Sequence, residues 1–203
     1  MRDAQIPASF YNVNEFNNVL VVDGISYSIP IQNYSISQLI TQIQTLISGL
    51  TVTLNRQTNL LTFSKGSTFT LGGSAQTCDT LIGNIPGYVS TGSNTYTLDH
   101  SCNLGGPLKL SIYTNLIMQN YDSLYGNVGL IASIPVSCMP GEFIYYTEPY
   151  GHDMLFSNPS LTELTFDIRD ELGNYIDFMG LDSYYTVQID EIIDIDTAKT
   201  FTD

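Results

Sequence analysis

The chain holds two histidines, three cysteines and twenty carboxylates, so imidazole, thiolate or carboxylate chemistry must be drawn from these. His100 lies in Asp99-His100-Ser101, a run with the residue types of a nucleophile, a base and its orienting acid. Consecutive residues cannot line those groups up in space, and a triad is recognised by geometry and roles, not by order. No Gly-x-Ser-x-Gly elbow accompanies it. His152 stands in Tyr150-Gly151-His152-Asp153, which reads as a turn with both polar groups solvated. Neither histidine has a second one at metal-ligand spacing. Cys78, Cys102 and Cys138 are odd in number and widely separated, which signals neither a complete disulfide framework nor a zinc knuckle. They are expected to be reduced packing thiols, a single bridge between two of them being the alternative.

Eleven of the twenty carboxylates fall between Leu161 and Asp203, a density that would suit calcium or a pair of glycosidase acids. Asp167, Asp177, Asp190, Asp194 and Asp196, however, take outward or turn positions in strand-like patterns, and the Asp-x-Asp-x-Asp-Gly loop of an EF-hand is missing. They read as solvated faces and as charge that blunts exposed strand edges. Gly72-Gly73-Ser74 and Gly105-Gly106-Pro107 lack the following Lys and the strand-to-helix setting of a phosphate cradle, so they are turns. Fourteen Tyr occur with no Trp. Tyr145-Tyr146 and Tyr184-Tyr185 must each place one ring inward and one outward if they lie on strands. Tyr146 and Tyr184 are the outward rings expected to meet a partner. No catalytic, cofactor-binding or metal-binding residue is assigned, and the chain does not read as an enzyme.

The composition sets the background for these residues. Of 203 residues 43% are hydrophobic and only 13% charged, against about 25% charged in an average soluble protein. The surface must therefore be clothed in Ser, Thr, Asn, Gln and Tyr, as the cores of protein interfaces often are poor in charge and rich in rings. A net charge of −14 has the wrong sign for gripping nucleic acid or anionic lipid. The longest nearly apolar stretch, Val128 to Val136, is far short of the ~20 residues that span a bilayer. Met1-Arg2-Asp3-Ala4-Gln5 lacks the apolar core of a signal peptide, so the expectation is a chain made without one and without a transmembrane segment.

The elements that must position these groups are mostly strands. Val19-Leu20-Val21-Val22, Asp23-Gly24 and Ile25-Ser26-Tyr27-Ser28-Ile29 spell a hairpin around a preferred two-residue turn, with Ile25, Tyr27 and Ile29 on one face. Leu50 to Leu54 and Leu61 to Phe63 flank a polar turn, and Thr68-Phe69-Thr70-Leu71 reads as a further short strand. Between the hairpins, Ile36, Leu39, Ile40, Ile43, Leu46, Ile47 and Leu50 recur at helical spacing, with Ser35 and Gln38 related as N-cap and N3 and Gly49 as the stop. One inserted helix over about residues 36–48 follows. Thr91-Gly92-Ser93-Asn94-Thr95 reads as an exposed loop.

After residue 105 the pattern is all β: Leu108 to Tyr113, Val128 to Val136 and Glu142 to Glu148. Leu164, Phe166 and Ile168 then share a face and return through Ile176 and Phe178 as the clearest hairpin. Tyr185, Val187 and Ile189 form a last strand, with a bulge at Glu191-Ile192-Ile193. The fold class is mainly β, a single jelly-roll β-sandwich over residues 1–203. Residues 1–16 are expected to be a flexible N-terminal arm and 197–203 a C-terminal tail, with a subdomain break near 105 as the alternative to one domain.

In order along the chain, these pieces resemble the penton and minor capsid proteins of the icosahedral double-stranded DNA viruses related to virophages, Polinton-type elements and giant viruses. The first half contributes Tyr27-Ser28-Ile29-Pro30 running into Asn33-Tyr34-Ser35, the helix with Leu39, Ile43 and Leu46, and Leu81-Ile82-Gly83. The second half contributes Leu110 to Ile117, Ile134-Pro135, and Phe166 to Phe178 with its Asp170-Glu171-Leu172-Gly173-Asn174 turn. The resemblance covers most of the chain. It implies a structural protein of the virion, foremost the penton subunit, a homopentamer closing the five-fold vertices and touching the double jelly-roll major capsid protein around it. No catalytic residues and no direct nucleic-acid contact come with that role. The alternatives are a minor capsid protein that cements neighbouring capsomers and, from the abundance of Tyr, a carbohydrate-binding attachment module. A cupin-like or glycoside hydrolase enzyme is disfavoured by the scarcity of His.

Overall fold

The structure, a computed structural model, describes residues 1–115, 129–148 and 162–190. It is mainly β, with the expected helix inserted among the strands.

The Asp-Gly turn forms as its residues demand. Asp23 and Gly24 both take positive φ, 52° and 74°, the type I′ geometry that matches strand twist. The turn joins β2 (Val19–Val22) to β3 (Ile25–Ser28) with Leu20 opposite Tyr27 and Val22 opposite Ile25. The expected face only partly reaches the interior: Ile29 is buried, Tyr27 half-buried and Ile25 exposed, because the turn carries Ile25 beyond the core.

Helix α1 (Ile36–Leu46) starts on the predicted capping box, the Ser35 hydroxyl accepting from the Gln38 amide and the Gln38 side chain accepting from the Ser35 N–H. It ends slightly short of the expected 48, and Gly49 at φ 78° turns the chain into β4 (Leu50–Asn55). Leu39 and Ile43 are fully buried, and Gln44 accepts from the Val52 N–H at 2.8 Å, fixing the helix to β4.

Strand β4 pairs with β5 (Leu60–Leu71), which is longer than expected: Thr68 to Leu71 is its continuation, not a separate strand. The expected loop at 91–95 is corrected as well. It belongs to β6 (Ser90–Thr97), which pairs with β5 through two register shifts. Its turn-prone residues are tolerated because this strand lies at an edge with most side chains exposed, where Gly92 at φ 82° fits an irregular ladder. A short helical turn, α2 (Asp79–Ile82), went unforeseen. The five-stranded sheet runs β3-β2-β5-β4 with β6 on β5, and it shares one core with α1, including Leu20, Leu39, Ile43, Leu61, Phe63, Cys78 and Ile82.

A second core lies between two three-stranded sheets. One has the order β10-β7-β8, built from β7 (Lys109–Thr114), β8 (Gly129–Pro135) and β10 (Phe166–Arg169). The other has the order β11-β1-β9, built from β1 (Asp3–Pro7), β9 (Phe143–Thr147) and β11 (Tyr184–Thr186). Ile6 and Ile144 from one sheet and Leu110, Ile112 and Ile134 from the other bury together, and Tyr185 stacks on Phe166 with ring centroids 4.9 Å apart. This is sheet-on-sheet sandwich packing.

The flexible arm over 1–16 is therefore corrected. Residues 3–7 are the central strand of a sheet, and Ala4, Ile6, Ala8, Phe10 and Val13 are buried. The chain passes between the two cores at Phe10 to Val13 and again at Leu104 to Leu110. The hairpin from Leu164 to Phe178 is a turn with a single return bridge, Arg169 to Tyr175, the Ile176 N–H adding one bond to the Ile168 carbonyl. Its inward positions hold: Leu164, Phe166, Ile168, Ile176 and Phe178 all pack against the second core. His152, the bulge at 191–193 and the tail at 197–203 lie outside the described residues.

Candidate functional surface

The sheet β11-β1-β9 has two faces, and the register decides what each displays. Ala4 faces Tyr146 and Tyr185, and Ile6 faces Ile144, all turned to the core. The alternate residues must then point outward. Gln5 lies between Tyr145 and Tyr184, while Pro7, beside Phe143 at the strand end, is itself buried. Tyr145 is 74% exposed and Tyr184 62%, and the Phe143 and Tyr145 rings lie tilted with centroids 6.4 Å apart. The Gln5 amide reaches the Tyr145 hydroxyl at 3.4 Å. Asp3, opposite Thr147 and Thr186, is the one charged residue in these paired outward rows. The result is an aromatic, charge-poor strip on the outer face of this sheet.

The one-in, one-out reading of both Tyr pairs holds, but the outward member of the first pair is Tyr145, not Tyr146. Phe143-Ile144-Tyr145-Tyr146 is apolar or aromatic throughout, so its pattern sets no phase; the pairing of Ile144 with buried Ile6 does.

Tyr146 instead donates its hydroxyl hydrogen bond to Glu148 at the edge of the core. Burial, reinforced by the Glu148 hydrogen bond and charge, pushes its phenol up to about 12. A phenol raised above the ordinary value near 10 contributes stability that is complete below about pH 10 and lost as pH rises through about 12. Following the Tyr146 ring carbon by NMR, the Glu148→Gln chain is expected to titrate at lower pH than the wild-type chain. An unchanged midpoint would show that Glu148 has no part in it.

Arg169 is held on the opposite sheet. Its guanidinium carbon lies 4.6 Å from the Tyr175 ring centroid and 5.2 Å from that of Tyr113, with Asp167 at 3.6 Å. Such stacking suits a planar cation and positions the turn after β10.

The remaining chemical candidates are dispersed. Asp99, His100 and Ser101 lie on an exposed bend, where the Ser101 hydroxyl donates to the Thr58 carbonyl and the His100 N–H to the Gly83 carbonyl. Cys78 is buried while Cys102 and Cys138 are half-buried, and all three are free thiols. Burial first, then the neighbouring Asp79 charge, raises the Cys78 thiol far above its ordinary value, leaving it inert. Among the described residues no group of three or more His, Cys, Asp or Glu is arranged to hold a metal, and no helix is long and apolar enough to cross a membrane. Asp167 and Asp177 are exposed, as is Asp190, consistent with solvated positions.

The polar cluster that the sequence did not announce is internal. Asp79, only 6% exposed, accepts from the side-chain amides of Gln76 and Asn84 and from the Gly87 N–H. Gln76 in turn accepts from the Val21 N–H at 3.1 Å, so one buried carboxylate ties α2 and the loop after it to β2. Gly83, at φ 88°, lets the chain leave α2, and a Cβ there would lie 2.0 Å from the His100 carbonyl oxygen. This is scaffolding, with three donors directed at one acid.

No family model matches the chain, and no curated protein matches its sequence. Among solved structures the chain is similar to the selenomethionine-labelled mavirus penton protein, with a TM-score of 0.41 at 11% identity over 85% of this chain and 79% of that one.

Proposed function

We propose that this chain is a structural protein of a virion, most specifically the penton subunit, self-associating as a homopentamer that closes the five-fold vertices against a double jelly-roll major capsid protein. In this reading residues 1–203 act as one assembling unit in the capsid, and no catalysis or cofactor is assigned to it. The ordered motifs from Tyr27-Ser28-Ile29-Pro30 to Phe166–Phe178 support it. The observation that carries it is the outward strip of Phe143, Tyr145 and Tyr184, whose ring content and low charge are those of an interface core.

The first test is mass in solution and copy number in purified particles, about sixty following from five at each vertex of a closed shell. Tyr145→Glu with Tyr184→Glu is expected to weaken self-association by at least about thirtyfold, the effect of losing one interface hot spot. Its thermal midpoint should stay near that of the wild-type chain, both residues being exposed. A chain that is strictly monomeric and absent from particles would refute the proposal.

A capsomer-cementing role would show instead as copy numbers that follow capsomers, not vertices. The Tyr145 ring with the Gln5 amide beside it favours a second reading, glycan attachment, since a ring face and an adjacent amide suit a sugar. Glycan-array binding lost in Tyr145→Ala would establish that reading, and absence of binding to any glycan would remove it.

A further inference from the structure

A small cavity opens where the two cores meet, away from the aromatic strip. It encloses about 120 Å³ and is lined by Phe16, Ile31, Tyr175 and Met179 with two carboxylates, Glu15 and Asp177, and is backed by Phe10 and Tyr11. Its size decides what can enter. Pockets for small organic ligands run to about 300–1,000 Å³, so this one suits a single long side chain.

Its chemistry narrows the choice further. Phe16, Ile31, Tyr175 and Met179 are all exposed although apolar or aromatic, so the mouth is greasy and uncovered in the isolated chain. Among the described residues the ion pairs are Lys65 with Asp23 and Arg169 with Asp167; neither Glu15 nor Asp177 takes part in one. Asp177 uses one oxygen to accept from the Met179 N–H at 2.8 Å, which holds the turn at Met179, φ 54°, against the opening. Arg169 already rests on the Tyr175 ring, but its charge is matched by Asp167 at 3.6 Å. A visitor that satisfies both features needs an aliphatic stem for Ile31 and Met179, a flat cation for the rings, and a positive charge for the two acids. With six Lys and Arg against twenty acids, this chain supplies few such groups itself.

We propose that the Glu15–Asp177 cavity is a docking socket for one arginine side chain, flanked by apolar residues, on a separate and more basic protein. Arginine fits better than lysine because its planar guanidinium stacks on rings and meets carboxylates in a fixed fork. Arginine is also an enriched anchor at interface hot spots. The proposal is independent of the capsid reading and of the aromatic strip.

The test uses the full chain and three capped tripeptides, acetyl-Leu-Arg-Leu amide and its lysine and norleucine counterparts, titrated while following the Met179 methyl and the Phe16 and Tyr175 rings by NMR. The arginine peptide is expected to give saturable shifts confined to these residues and to bind more tightly than the lysine peptide, with norleucine weakest. Glu15→Gln together with Asp177→Asn should weaken arginine binding about five- to tenfold, the loss of two exposed ion pairs. Glu15→Gln alone serves if the Asp177 variant disturbs the turn. Norleucine binding as tightly as arginine, an unchanged affinity in the variants, shifts spread over the whole acidic surface, or no shift at all would each overturn the assignment.

Discussion

Removing residues 2–8 is expected to leave a chain that cannot form its second core and collects as aggregate. Strand β1 is the middle of its sheet: β9 and β11 each pair with it and not with each other. The segment also supplies Ala4, Ile6 and Ala8 to the interior, and Ala8 exchanges backbone hydrogen bonds with the loop before β9, its N–H to the Glu142 carbonyl and its carbonyl from the Gly141 N–H. Ile6→Ala alone should cost about 2–5 kcal/mol, because Ile6 is fully buried and a truncation there leaves a cavity. Losing the whole strand adds the desolvated edges of two others, which exceeds a typical net stability of about 5–15 kcal/mol. Denaturant unfolding of Ile6→Ala and solubility of the truncated chain measure the two effects. A truncated chain with a wild-type melting transition would restore the flexible-arm reading of these residues.

The second large effect is expected from Asp79→Ala, a loss of about 3–5 kcal/mol. The carboxylate is the common acceptor for the buried Gln76 and Asn84 amides and for the N–H of Gly87 at the site's exposed rim. Deleting it leaves the buried Gln76 and Asn84 amides short of their acceptor, Asn84 keeping only its bond to the Tyr88 carbonyl, at about 1–3 kcal/mol each before relaxation or an entering water recovers part of the cost. Asp79→Asn keeps the shape but turns an amide hydrogen toward donors that need an acceptor, so it should recover only part of the loss. Asp182→Ala, on the exposed stretch before β11, should stay within about 0.5 kcal/mol of wild type. Chemical denaturation compares all three. A deficit under about 1 kcal/mol for Asp79→Ala would mean that the loop after α2 rearranges freely, and the tie between β2 and α2 would not be structural.

Both effects fall on features that are faint in the sequence, and the reason is the same in each. Asp79 follows Cys78 in a run of small and polar residues, where an acid is ordinarily solvated; its burial depends on Gln76 and Asn84 folding around it and on β2 passing above. Residues 1–8 alternate only loosely, and their partners lie far along the chain in β9 and β11, so nothing local marks the segment as a central strand. The same holds for β6, whose Gly, Ser, Asn and Thr read as a loop until β5 supplies a ladder for it. The cavity at Glu15 and Asp177 likewise joins segments that share no sequence signal.

The sequence by itself determined what local chemistry can enforce: the Asp23-Gly24 turn, the capping box at Ser35 and Gln38, the apolar stripe of α1, and the alternation that makes the rest of the chain β. It also determined that Tyr145-Tyr146 and Tyr184-Tyr185 split across a sheet. Tertiary structure alone decided which ring of the first pair meets solvent, that the N-terminal segment lies inside a sheet, and that one acid is buried while many others are solvated. Alternation fixes relative phase and leaves absolute phase open. Only the pairing of Ala4 and Ile6 with strands distant in sequence, burying one face and not the other, supplies the missing reference.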